Sequence, residues 1–110
     1  MMSNLIELVE NNFDDVVNPN TGISVVRFWA PWCGPCLMVA PIYEKLADEM
    51  NKSATFGEVN IDDVPSIAAR YGIRSIPTTV VFKNGKPVDV LVGVASLTQF
   101  KDVVSKALDS

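Results

Sequence analysis

Ile23-Ser24-Val25-Val26-Arg27-Phe28-Trp29-Ala30-Pro31-Trp32-Cys33-Gly34-Pro35-Cys36 runs from an apolar segment straight into the chain's only two cysteines. Its first seven residues, rich in β-branched and aromatic side chains, predict a strand. From Cys33 or Gly34 to Met50, apolar residues at Leu37, Val39, Ala40, Tyr43, Leu46, Ala47 and Met50 recur at helical spacing. Pro41 lies inside this predicted helix, removes one backbone bond and is expected to kink it. Cys33 therefore falls at a strand-to-helix turn, where unpaired N–H groups and the helix dipole favour negative charge. A thiolate so placed has a lowered pKa and becomes the nucleophile. Two cysteines separated by two residues can close a small reversible disulfide, so the pattern predicts dithiol–disulfide exchange. The competing reading is an inert bridge or two buried thiols, but so short a loop does little to staple a fold.

Outward from this stretch, Ala54 to Ile61 predicts the next strand. Strand, helix and strand in that order imply a right-handed crossover between parallel strands. Upstream, Asn12 to Val17 reads as a short helix capped by Asn11 or Asn12, and Asn18-Pro19-Asn20-Thr21-Gly22 as a loop. Downstream, Asp62-Asp63 is expected to cap a helix from about Val64 to Tyr71, which Gly72 ends. Thr78 to Phe82 and Val88 to Val92 flank Lys83-Asn84-Gly85-Lys86-Pro87, and the Asn-Gly predicts a hairpin. Ser96-Leu97-Thr98-Gln99 reads as a capping box. It opens a last helix whose expected buried stripe is Leu97, Phe100, Val103, Val104, Ala107 and Leu108. These elements add up to an α/β sandwich with a mixed central sheet and helices on both faces. With no repeat or linker in sight, residues 1–110 are expected to form one domain.

Bulk composition narrows the chemistry. The chain is 48% hydrophobic and 20% charged, ordinary for a soluble globular protein. Its apolar runs are too short to span a bilayer, so no membrane role is expected. Met1-Met2-Ser3-Asn4-Leu5 lacks the basic and apolar regions of a signal peptide, which points to a reducing cytoplasm. In that compartment a CxxC pair is expected to be catalytic rather than structural. Net charge is −4 and no basic cluster is visible, so nucleic-acid binding is disfavoured. There is no histidine, which removes His-based acid–base catalysis and most zinc sites. One CxxC supplies two of the four thiolates a structural zinc or iron–sulfur cluster needs, so no metal is expected.

Phe28-Trp29-Ala30-Pro31-Trp32-Cys33-Gly34-Pro35-Cys36, Gly72-Ile73-Arg74-Ser75-Ile76-Pro77-Thr78, Phe82-Lys83-Asn84-Gly85 and Val92-Gly93 closely resemble the thioredoxin family. The likeness runs from about Leu5 to Leu108. It implies a three-layer sandwich with a five-stranded mixed sheet, four helices and a cis peptide at Ile76-Pro77 facing the disulfide. It also implies that Cys33 attacks and Cys36 resolves. Gly34-Pro35 is the dipeptide of the reducing members. The implied substrate groove comprises Trp32, Gly34, Pro35, Ile76, Pro77, Val92 and Gly93, with the backbone beside Pro77 pairing an extended substrate. By the same resemblance the protein is a monomeric cytoplasmic protein-disulfide reductase. It needs no cofactor beyond the Cys33–Cys36 disulfide, is recharged by a thioredoxin reductase, and acts on disulfide-containing clients. A reductant dedicated to one client, or a binding subunit with idle cysteines, are the alternatives. The intact motif and proline loop speak against idling.

Two positions depart from the family pattern together. Thioredoxins usually carry Asp immediately before Phe-Trp-Ala, and this chain has Arg27. They often carry Lys two residues before Asn-Ile-Asp, and this chain has Glu58. The usual Asp is thought to take the resolving cysteine's proton, which Arg27 cannot do at neutral pH. Arg27 shares its strand face with Val25 and Trp29, and Glu58 lies on the strand after the crossover. Either the two charges pair, or Arg27 runs to the sheet edge and ignores Glu58. If they pair, Arg27 favours the thiolates electrostatically and Glu58 is the nearby candidate to accept the Cys36 proton. Leu37 also replaces a basic residue common just after the motif.

Overall fold

The computed structural model describes residues 4–17 and 22–109. The loop read at 18–22 therefore lies, except for Gly22, outside the described residues. In chain order the elements are β1 (Leu5–Glu7), α1 (Phe13–Val17), β2 (Ile23–Trp29), α2 (Gly34–Met50), β3 (Ala54–Asn60), α3 (Pro65–Arg70), β4 (Thr78–Lys83), β5 (Lys86–Val92) and α4 (Leu97–Asp109). The strands form one sheet ordered β1-β3-β2-β4-β5. β1 and β2 run parallel to β3, while β4 runs antiparallel to β2 and β5. The predicted parallel pairing of β2 and β3 thus holds, and β2 sits in the middle of the sheet.

Period-2 alternation along β2 divides the interior in two. Ile23 and Val25 join Phe56, Val81, Val39, Tyr43, Leu46, Phe100 and Val104 under α2 and α4. Val26 and Phe28 join Val59, Val80, Phe82, Phe13 and Ile67 under α1 and α3. Both faces of β2 are covered, which is why its run is apolar almost throughout.

Gly57 marks a close approach. A Cβ there would stand 2.5 Å from Leu8 Cδ1 and 3.3 Å from the Ile6 carbonyl oxygen. Leu8 is 1% exposed and has nowhere to retreat. Gly57→Ala is expected to destabilise the fold by about 1–3 kcal/mol, read as a lower urea midpoint with an unchanged slope.

The hairpin forms as expected, with Asn84 at φ 54° and Gly85 at φ 85°. The capping box forms too: Ser96 N–H donates to Gln99 Oε1 at 2.9 Å, and Gln99 N–H to Ser96 Oγ at 3.1 Å. Gly72, at φ 65°, follows α3, and the Ile73 N–H closes back on the Ala68 carbonyl at 2.9 Å.

Several expectations fail for local reasons. Asn12 does not cap α1 forwards; its side chain turns back, accepting from Val9 N–H at 2.7 Å and donating to the Glu7 carbonyl at 3.0 Å. Neither Asp62 nor Asp63 caps α3, whose N-cap is Val64 without a side-chain bond. The helix starts on Pro65, so the cap position falls on Val64, whose side chain has no acceptor to offer the first-turn N–H groups. Leu108 and Leu37 fall off their helices' buried faces and are 38% and 52% exposed. β1, only three residues long, had no periodic signature of its own.

Candidate active site

β2 ends beneath the N-terminus of α2, and Cys33 is the N-cap of that helix. Its Sγ accepts the Cys36 N–H at 3.2 Å, so one orphan donor of the first turn points at sulfur. Pro35 sits in that first turn, where no intrahelical donor is needed. Cys33 and Cys36 are joined as a disulfide with their Cα atoms 5.2 Å apart. Cys33 is 5% exposed and Cys36 is fully buried. A side chain at Gly34 would meet open space, so packing does not require glycine there.

The opposite wall comes from distant sequence. β4 is antiparallel to β2, so its first residue, Thr78, lies across from Phe28 at the end of β2. The preceding Ile76-Pro77 peptide is cis. The Ile76 carbonyl oxygen lies 3.8 Å from Cys33 Sγ. The Gly93 N–H, at a position with φ 87°, donates to the Pro77 carbonyl at 2.8 Å and fixes the loop. Trp32 and Val92 are 68% and 65% exposed, so this end of the sheet presents apolar surface around the sulfur. The Trp32 indole N–H donates to Asp62 at 3.0 Å. That is where the expected helix cap is spent, and sequence spacing gave no sign of it.

Beneath the dithiol, Arg27 and Glu58 are register partners on β2 and β3. The paired alternative is the one realised. Arg27 Nε donates to Glu58 Oε2 at 2.9 Å, and Nη2 meets the same oxygen. Arg27 Nη1 donates to the Cys36 carbonyl at 2.9 Å, a contact that sequence reasoning missed. The guanidinium lies 5.3 Å from the Trp29 ring centroid and 5.6 Å from that of Tyr43. Arg27 is 2% exposed, which rules out a run to the sheet edge. The Tyr43 hydroxyl reaches the carbonyls of Val25 at 3.0 Å and Gly57 at 2.8 Å, tying α2 to two strands. Burial first, then the Glu58 charge, push the Tyr43 phenol well above its usual pKa, so it stays a neutral donor.

Among the described residues, no group of three or more His, Cys, Asp or Glu side chains is arranged to hold a metal. The redox-active group is the cysteine pair itself.

A cysteine pair capping a helix at the end of a central strand, walled by a cis-proline loop, defines a thiol–disulfide oxidoreductase. A family model described as Thioredoxin matches residues 4–106. A thioredoxin of Staphylococcus saprophyticus is 41% identical over 94% of this chain and 98% of its own length. Thioredoxin M5, chloroplastic, of Oryza sativa is 41% identical over 98% of this chain and 65% of its own length. The crystal structure of a Malassezia sympodialis thioredoxin superposes with a TM-score of 0.88 at 31% identity, covering 97% of this chain and 93% of that one. The chain belongs to the thioredoxin family. It is a protein-disulfide reductase, and its partners are a thioredoxin reductase and disulfide-containing proteins.

Proposed function

We propose that Cys33 is the attacking thiolate and Cys36 the resolving thiol of a general disulfide reductase. Cys33 Sγ attacks one sulfur of a client disulfide; a new S–S bond forms, the client bond breaks, and the other client sulfur leaves as a thiolate. Cys36, once deprotonated, attacks Cys33 Sγ, releases the second client thiolate and closes the Cys33–Cys36 disulfide. The two electrons gained by the client come from the two cysteine sulfurs, and a reductase partner returns them. Trp32, Ile76, Pro77, Val92 and Gly93 form the client groove: apolar side chains supply contact area, and the backbone beside Pro77 offers pairing groups to an extended segment. Gly34-Pro35 holds the two sulfurs at the helix mouth.

The observation that carries this assignment is the asymmetry of the two sulfurs. Cys33 caps the helix, receives a backbone N–H and reaches the surface, whereas Cys36 lies a turn in with no exposure. Iodoacetamide added to the reduced protein is expected to label Cys33 first, with Cys36 following only on denaturation; mass spectrometry of timed peptides reads the order. Labelling of Cys36 first would reverse the roles. The same reading takes residues 1–110 as one domain acting as a cytoplasmic monomer, with no nucleic-acid or membrane partner. The net charge of −4 and the absence, among the described residues, of a helix long and apolar enough to cross a membrane support it.

A further inference from the structure

We propose that the Arg27–Glu58 pair is an oriented electrostatic device that raises the reduction potential of the Cys33–Cys36 couple. Arg27 acts as a positioning residue, and Glu58 tempers it. The proposal rests on Cys33–Cys36 being the working dithiol.

The pair has a direction. Arg27 lies inboard, 2% exposed, with Nη1 2.9 Å from the Cys36 carbonyl oxygen. Glu58 lies outboard, with 22% of its side chain exposed. It borders a surface recess of about 390 Å³ that Glu7, Glu44, Trp29 and Asn60 also line. The positive end therefore meets the backbone of Cys36 in a dry setting, while the negative end is partly screened by water. Equal and opposite charges so placed do not cancel at sulfur.

The contact also reaches Cys33 mechanically. The Cys36 N–H donates to Cys33 Sγ at 3.2 Å, and the Leu37 N–H donates to the Cys33 carbonyl at 3.1 Å. Arg27 grips the carbonyl of the peptide whose N–H belongs to Leu37. The guanidinium thus holds, through one residue and one peptide, both groups that turn back towards Cys33.

Reduction takes two electrons and two protons to the dithiol, and one thiol then releases its proton to solvent as the thiolate forms. Only the reduced state carries that negative charge. A fixed cation bonded to the Cys36 carbonyl, in the same turn as that charge, favours the reduced state, which raises the potential. Removing Glu58's charge strengthens the field, and removing Arg27's weakens it. The two losses therefore push the couple in opposite directions, something a purely structural pair would not do.

The test is equilibration of the intact protein with glutathione at neutral pH, read by tryptophan fluorescence or by alkylation and mass. Glu58→Gln should raise the equilibrium constant for reduction about tenfold, about 30 mV for a two-electron couple. Arg27→Met should lower it by a similar factor. Arg27→Lys, which keeps the charge but loses the fork, should stay within about twofold of the parent. If Arg27→Met does not fold, a rise with Glu58→Gln and constancy with Arg27→Lys decide in favour. Shifts of the same sign in Glu58→Gln and Arg27→Met, no shift in Glu58→Gln, or a large shift in Arg27→Lys overturn the proposal. A parent protein with no titrating two-electron couple would instead remove the dithiol reading beneath it.

Discussion

Cys36→Ser is expected to accumulate client proteins as mixed disulfides on Cys33, while Cys33→Ser captures none and loses turnover by roughly 10³-fold or more. The size of the effect follows from the inventory: the chain has two cysteines and no histidine, so no second nucleophile or imidazole base can take over. Attack needs a thiolate within reach of solvent, and of the two cysteines only Cys33 keeps any exposure and carries a backbone N–H on its sulfur. Resolution needs only the neighbouring sulfur, held 5.2 Å away Cα to Cα. A serine at position 36 leaves attack intact and removes the step that frees the client. Non-reducing gels of the variant incubated with oxidised insulin or a cell extract, followed by peptide mapping, read the outcome. Capture by Cys33→Ser would reverse the assignment, and unchanged turnover in either variant would detach the activity from this pair.

Arg27→Met is expected to cost about 3–5 kcal/mol of stability, roughly 12–20 °C in Tm for a domain of this size. Arg27 is almost wholly buried and every direction from it is taken: Glu58 on one side, the Cys36 carbonyl on another, and the Trp29 and Tyr43 rings around it. Removing the guanidinium leaves the Glu58 carboxylate without its cation at a mostly covered position. Its 22% exposure lets water reach it, which sets the loss towards the lower end of the range. Most of the cost is the stranded charge rather than the worth of the pair, because desolvation opposes the attraction. Arg27→Met with Glu58→Met should therefore recover much of the loss. Urea unfolding of the four proteins in a double-mutant cycle gives the coupling directly. A coupling near zero would mean that the two side chains act independently despite their contact.

Much of this was legible from residue order. β2 was bounded at Ile23 and Trp29 because its β-branched run stops at Ala30-Pro31. Arg27 opposite Glu58 was legible as a possibility, because parallel neighbours in a crossover unit keep residues of one parity on one face. What could not be read were contacts made by groups that every residue carries. The Arg27 bond to a backbone carbonyl leaves no mark in side-chain pattern, and neither does Tyr43 bridging two strand carbonyls. Asx-rich turns misled in the same way. Asn12 and Asp62 both have the chemistry of a helix cap, but other partners claimed them first: for Asn12 the preceding backbone of Val9 and Glu7, for Asp62 the distant indole of Trp32. The placing of Ile76-Pro77 opposite the disulfide came from family resemblance, since nothing local to those residues says what they will face.

The separation of 43 residues between Cys33 and Ile76, which the antiparallel pairing of β2 with β4 closes to a 3.8 Å contact, has a consequence for the protein while it is being made. A ribosome adding 5–20 residues per second delivers the cysteines about 2–9 s before the loop that will wall them. Throughout that interval the nascent chain carries both cysteines without the loop that comes to lie against Cys33. The cysteine pair is written early in the message and its facing wall late, so the site is complete only once β4 has paired with β2.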